Sequence, residues 1–243
     1  MTPAAAILVG TAVAAAAFVQ GTLGVGFALV IAPLLGIVAP ALLPGALLLL
    51  MLPLNAWVAY RERSALDWPG VRQITFGRVA GGILGLVVLV TLPDRGLQLF
   101  VGVATIAAAL ASLLAPDFSP GRRAYLAAGA ATGVTETATG IGGPPLALVY
   151  QHRPAAVLRA TVALCFLVGE VLSLLLLLAA GRLDGPQVRA AVLLAPPLAL
   201  GVIASGFAGS LVDGPVLRRL ILAFAIVSGI VCLMPPGFLR STP

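Results

Sequence analysis

Hydrophobic positions in this chain run on in long blocks, with Gly, Pro and a few charges between them. The apolar stretches fall at about 4–19, 27–39, 41–60, 74–92, 96–115, 125–135, 141–150, 161–180, 190–212 and 217–234. Six of these approach the ~20 residues that a helix needs to cross hydrocarbon. The other four, 4–19, 27–39, 125–135 and 141–150, are shorter. They form two pairs, each split by a glycine-rich break. From Met1 to Tyr60 there is no Asp, Glu, Lys, Arg or His. At ~1.5 Å per residue, a helix of ~60 residues is ~90 Å long, against a hydrocarbon core of ~30 Å, so this stretch must enter a bilayer more than once. The pattern predicts an all-α, polytopic helical membrane protein.

Composition agrees. The 243 residues are 60% hydrophobic and 9% charged, whereas soluble domains carry about 25% charged residues. A soluble domain, a secreted disulfide scaffold and a disordered chain are excluded. The Ala-rich start lacks a basic flank, and its apolar character continues, which argues against a cleavable signal. Cys165 and Cys232 lie inside apolar runs and read as small core residues.

The two breaks belong to an internal repeat. The first reads Gln20-Gly-Thr-Leu-Gly24-Val-Gly26 and the second Glu136-Thr-Ala-Thr-Gly140-Ile-Gly142, at an offset of 116 residues. Asp67-Trp-Pro-Gly-Val71-Arg72 pairs loosely with Asp184-Gly-Pro-Gln-Val188-Arg189, and Asp94-Arg-Gly-Leu97 with Asp213-Gly-Pro-Val216. The expected organisation is one integral membrane domain made of two repeats, 1–117 and 118–243. Each has five apolar stretches. Whether all five cross or the short pair forms a re-entrant hairpin, the number of crossings is odd, so the repeats are expected to be inverted, with broken or re-entrant helices.

Charge then suggests an orientation. All 14 basic residues are Arg. Arg61, Arg63, Arg72, Arg122, Arg123, Arg153, Arg159, Arg218 and Arg219 fall on one side of the predicted spans, and Arg95, Arg182, Arg189 and Arg240 on the other. The Arg-rich side is expected in the cytoplasm, which makes this a multi-pass protein of the cell (inner) membrane with both termini outside. No basic run exceeds two residues, so nucleic acid is not an expected partner. The expected partners are the lipid bilayer and a small anionic substrate, with a homodimer possible. Trp57, Tyr60 and Trp68 flank a span end, as interfacial anchors do.

The usual catalytic toolkit is absent. There is no Lys for a Walker A loop or Schiff base, no Gly-x-Ser-x-Gly, and one His with two distant Cys cannot build a typical zinc site. No enzyme activity and no cofactor are expected. The breaks are the positive signal. Unwound backbone inside hydrocarbon is tolerated only where protein or a water-filled cavity satisfies it. A break also exposes the N-terminus of the following helix, whose amides carry about half a positive charge. Two breaks brought together would form a small anion site, in which Gly24, Gly26, Gly140, Gly142 and Gly143 allow close approach. Pro33, Pro144 and Pro145 would set helix starts or kinks. The competing reading is that these glycines serve only tight helix packing.

These segments resemble a known family. Gly24-Val-Gly26-Phe-Ala-Leu-Val-Ile-Ala-Pro33 is similar to the first-half signature of the TauE/SafE sulfite exporter family, and Gly140-Ile-Gly142-Gly143-Pro144-Pro145-Leu-Ala-Leu-Val-Tyr150 to its second. Arg159-Ala-Thr161 with Phe166, and the loop from Tyr60-Arg61 to Asp67-Trp68, also match. The resemblance covers nearly the whole chain. It implies a multi-pass transporter of sulfite or related organosulfur anions. Phe27 and Ala28 follow Gly26 where the family often has a denser glycine run.

The candidate substrate residues are Gln20, Gly24, Gly26, Asn55, Gly140, Gly142, Gly143, Arg159 and Thr161. Glu136 holds in the second half the place of Gln20 in the first. An acid inside a membrane is costly and is a functional candidate. It either carries a proton, and is then neutral when an anion is bound, or holds the unwound backbone. Glu170 lies roughly opposite Asn55 in the repeat. It is the second proton-coupling candidate or half of a polar helix-tying pair. Arg159 either binds an anion through its planar fork or anchors a helix end. Arg78 is expected to snorkel, and His152 to be a solvated loop residue. The resulting expectation is a secondary transporter moving a small anion by alternating access. A passive anion channel is the alternative, followed by an intramembrane enzyme.

Overall fold

The computed structural model describes residues 3–114 and 120–207, with single positions at 223, 226, 227, 230, 233 and 234. Among the described residues there are nine α-helices and no strand: α1 (Pro3–Leu23), α2 (Phe27–Val38), α3 (Gly45–Arg61), α4 (Trp68–Thr91), α5 (Asp94–Leu114), α6 (Arg122–Thr139), α7 (Gly143–Tyr150), α8 (Ala155–Ala179) and α9 (Gly185–Phe207). Most of the apolar stretch expected at 217–234, with Cys232, Arg218 and Arg219, and also Arg240, lies outside the described residues.

Among the described residues four helices are long and apolar enough to cross a membrane: Ala6–Leu23 of α1, α4, α8 and α9. Two sequence expectations change here. The stretch 41–60 is not one span, because a short 3-10 turn at Pro40–Leu42 and the Leu43–Pro44 bend precede α3, which has 17 residues. Proline at 40 and 44 removes two backbone donors and delays the helix. Conversely, α1 does not stop near residue 19. It continues to Leu23, since a single glycine at position 21 does not end a helix and the left-handed turn comes only at Gly24, with φ +82°.

The bundle is apolar outside and polar within. Phe76, Val79, Ile83, Leu84 and Val87 of α4, Leu175 and Leu178 of α8, and Val192, Leu193, Leu200 and Phe207 of α9 are exposed. Gln20, Asn55, Arg78, Thr132, Glu136, Thr137, Thr161, Glu170 and Ser173 are buried. Water would not leave such outer faces bare, whereas lipid solvates them. The chain is a polytopic helical membrane protein.

Among the described residues the two largest hydrophobic clusters organise the interior. One gathers residues of α1, α2, α3 and α9, including Val13, Phe27, Ile31, Met51, Leu54 and Leu198, together with Ile141 from the second break. The other gathers Ile74, Leu146, Tyr150, Val162 and Phe166 of α4, α7 and α8, and Val25 from the first break packs against it. Each break therefore sends its middle residue into the cluster built largely by the other half.

The closest helix pair is α4 on α6. A methyl group at Gly77, Gly81 or Gly85 of α4 would run into the α6 backbone at Leu126, Ala130 and Val134. One at Gly129 or Gly133 of α6 would run into α4 at Ile74, Arg78 and Gly82. Small residues at four-residue spacing on both helices let the backbones touch, the usual means of close association without a hydrophobic driving force. The corresponding contact of the other ends of the chain is α9 on α1, where Gly201 meets the Ala14 carbonyl.

Candidate functional site

Both expected breaks are present. The first spans Gly24–Gly26 and the second Gly140–Gly142. Each opens on a glycine in the left-handed region, φ +82° at Gly24 and +80° at Gly140, and each first glycine N–H still donates back to the helix, to Gln20 O at 2.8 Å and Glu136 O at 2.7 Å. Gln20 and Glu136 thus lie in the last helical turns of α1 and α6, not in the unwound segments.

Some of the amides at the breaks are already engaged. At the first break Phe27 N–H donates to Gln20 Oε1 at 3.0 Å, so this helix start is capped by its own neighbour. At the second, Pro144 and Pro145 occupy the first turn of α7 and carry no N–H. Glu136 stands beside that start, with its Oε2 in the space that a side chain at Gly142 would need. Thr132 Oγ1 donates to Gly142 O at 3.2 Å, and Ile141 N–H donates to Thr139 Oγ1 at 3.2 Å. Helix dipoles contribute to the site, and these hydrogen bonds engage part of its amide set.

Buried polar side chains lie beside the breaks. Gln20 Nε2 donates to Asn55 Oδ1 at 3.1 Å, and Asn55 Nδ2 donates to Glu170 Oε1 at 2.6 Å. This buried chain runs from α1 through α3 to α8 and brings together three residues that the repeat had singled out. A second buried group pairs Arg78 of α4 with Glu136 of α6 through Nη2 and Oε1. The Arg78 guanidinium lies against Gly169, next to Glu170, where a methyl group would overlap it, and its Cζ is 5.8 Å from the centre of the Phe166 ring. Thr137 and Ser173 share a hydrogen bond of 2.7 Å between α6 and α8 nearby.

Arg78 does not snorkel. It is 1% exposed, because the glycines on its helix hold α4 against α6 and leave its side chain no route along the outer face. Sequence reasoning missed it as a site residue. The available signal was Gly77, Gly81 and Gly85 around an arginine, a packing face that carries a charge inward.

Arg159 and Thr161 are elsewhere. Arg159 Nε donates to Glu62 at 2.8 Å, and its Nη1 is 3.5 Å from Thr22 O. The arginine leans on Gly24, whose missing side chain makes room for it. Arg61 donates to Gly21 O at 2.8 Å and to Glu62 at 3.1 Å. Two arginines thus satisfy carbonyls in the last turn of α1, with Glu62 between them. Thr161 Oγ1 accepts from Asp67 N–H at 3.0 Å, while Asp67 also accepts from Tyr150 OH at 3.0 Å and lies 3.6 Å from Arg153. Neither residue shares a partner with the Arg78 group. Gly26 and Gly143 flank the helix starts, with Phe166 Cζ 3.9 Å from a methyl position on Gly143. Among the described residues no cluster of three His, Cys, Asp or Glu could hold a metal ion.

The family model described as sulfite exporter TauE/SafE matches residues 8–232, which includes both breaks and both ionic groups. The chain belongs to the TauE/SafE sulfite exporter family. No curated protein and no solved structure matches it. Membership makes anion transport the function at the level of the family. In this TauE/SafE chain the signature glycines coincide with the left-handed turns that end α1 and α6.

Proposed function

We propose that this TauE/SafE chain is a secondary transporter that moves a small anion, sulfite or an organosulfur or other organic anion, across the cell membrane by alternating access. The observation that carries the reading is Arg78: a fully buried guanidinium, with Nε and Nη1 unpartnered among the described residues, inside a bundle whose outer faces suit lipid. A cation at such depth costs about 2.5–3.5 kcal/mol on insertion scales and is retained where a pathway or ligand uses it. The breaks supply hinges, since glycine absorbs changes of φ that other residues resist.

Several features support reading residues 1–117 and 118–243 as inverted repeats. The pairs α4 on α6 and α9 on α1 correspond under the 116-residue offset, and Asn55 meets Glu170, its near-counterpart. Rocking of one half against the other would expose the interior to each side in turn. The chain has no nucleotide-binding loop, so the substrate gradient or protons supply the driving force.

The test is uptake into proteoliposomes of sulfite, thiosulfate, sulfoacetate, methanesulfonate, taurine and an aromatic carboxylate. The expected result is saturable uptake of one or more of the anions, stimulated by the same anion inside. Absence of anion uptake removes the reading. Large non-saturating currents favour a channel.

A further inference from the structure

We propose that Arg78 is the ligand of the transported anion and that Glu136 is the resident anion it displaces, so that one proton binds with each anion. The inference rests on the anion-transport reading and gives that site its residues and coupling.

Charge counting leads to it. The groups facing the Arg78 guanidinium are Glu136 from α6, and Glu170, the Cys165 thiol and the Phe166 ring from α8. On its own helix the nearest acid is Asp67 at the N-terminal cap. That acid is engaged by Gly70 N–H and by Tyr150 of α7, beyond which lies Tyr125 of α6. The interior thus holds one fixed cation and two carboxylic acids. A single guanidinium cannot neutralise Glu136, Glu170 and an entering anion together. In a medium of low dielectric an uncompensated charge costs several kcal/mol. An anion therefore enters only as a proton does.

Geometry selects Glu136 for the exchange. Glu170 is held by Asn55, which is held by Gln20, which caps α2. Glu136 is the acid bound to Arg78; its Oε2, like that of Glu170, has no partner among the described residues. Arg78 uses only Nη2 and keeps Nε and Nη1 open. Both forked edges of the guanidinium, Nε with Nη2 and Nη1 with Nη2, include the Nη2 that Glu136 holds, so release of Glu136 frees a pair of N–H groups that can hold two oxygens of a sulfite or sulfonate group side by side. Gln20, in the matching place of the first half, cannot ionise and keeps its cap on Phe27, whereas Glu136, beside Gly142, can gain and lose a proton. In the step itself a proton from water bonds to a Glu136 oxygen, the Arg78–Glu136 ion pair opens, and the anion takes the vacated N–H groups. No other bond changes, and a monovalent anion crosses with no net charge.

Binding to the purified full chain tests this, with methanesulfonate and thiosulfate as probes, because both keep their charge between about pH 5.5 and 8. Wild-type affinity should fall by up to about tenfold per pH unit on the alkaline side. Glu136→Gln should bind equally at both pH values. The paired variant Arg78→Gln with Glu136→Gln removes both members of the ion pair, so neither is left buried without the other, and it should bind at least about 30-fold more weakly at either pH. Wild-type proteoliposomes should take up methanesulfonate on an inward proton gradient and ignore an imposed potential. Anion uptake that follows the potential and not the proton gradient overturns this proposal and leaves the transporter reading intact, as does binding retained by the paired variant. Uptake of no anion at any pH removes both.

Discussion

Buried charge in this protein is sorted by what holds it. Glu62 and Asp67 sit between arginines and backbone groups near helix ends, where partial exposure screens them. Arg78, Glu136 and Glu170 sit where nothing screens them. Arg159 belongs to the first kind. It fills the space beside Gly24 and shares Glu62 with Arg61. Replacing Arg159 with Ala should reduce anion uptake in proteoliposomes severalfold by freeing the first break, with little change in thermal stability, because Arg61 keeps Glu62 paired. Unchanged uptake would take Arg159 out of the transport path. At this scale the sequence was only partly legible. Gln20, Asn55, Glu136 and Glu170 stood out as polar residues in apolar runs, and the offset of 116 matched Gln20 with Glu136. The direction in which Arg78 points depends on its neighbours across α6 and α8. Distance along a span shows depth but not facing.

Helices carry the next level of the argument. The meeting of α4 and α6 is what brings Arg78 to Glu136, and it depends on glycine at 77, 81 and 85 against glycine at 129 and 133. A leucine at Gly81 would place its first carbon on the Ala130 backbone, which cannot yield as a side chain could. Gly81→Leu should therefore lower the thermal midpoint in detergent by an amount matching at least about 1–3 kcal/mol of overpacking and should abolish anion binding. Gly121→Ala, at a position with open space around it, should change neither. Equal behaviour of the two variants would show that close approach is not what positions the pair. The breaks were legible because glycine clusters interrupt apolar runs. Their width was not. The α-helical hydrogen bonds of Gly24 and Gly140 carry each helix one turn past the polar residue that seemed to open the gap.

At the scale of the molecule, the all-helical membrane class followed from composition alone, since nothing else accommodates a chain that is 60% hydrophobic and 9% charged. The lengths of individual spans did not follow so directly, because Pro40 and Pro44 shorten one apolar run while the Gln20–Leu23 segment lengthens another. Family membership then adds what physics does not supply, the class of molecule carried. The account reduces to one location: a small anion held inside the bundle by Arg78, close to the second break, in place of Glu136. Diffraction at the bromine edge from crystals grown in acidic buffer with bromomethanesulfonate tests it most directly. The account predicts an anomalous peak beside the Arg78 guanidinium, with Glu136 turned away. A peak confined to the Arg61–Arg159 group, or none within the bundle, would contradict it.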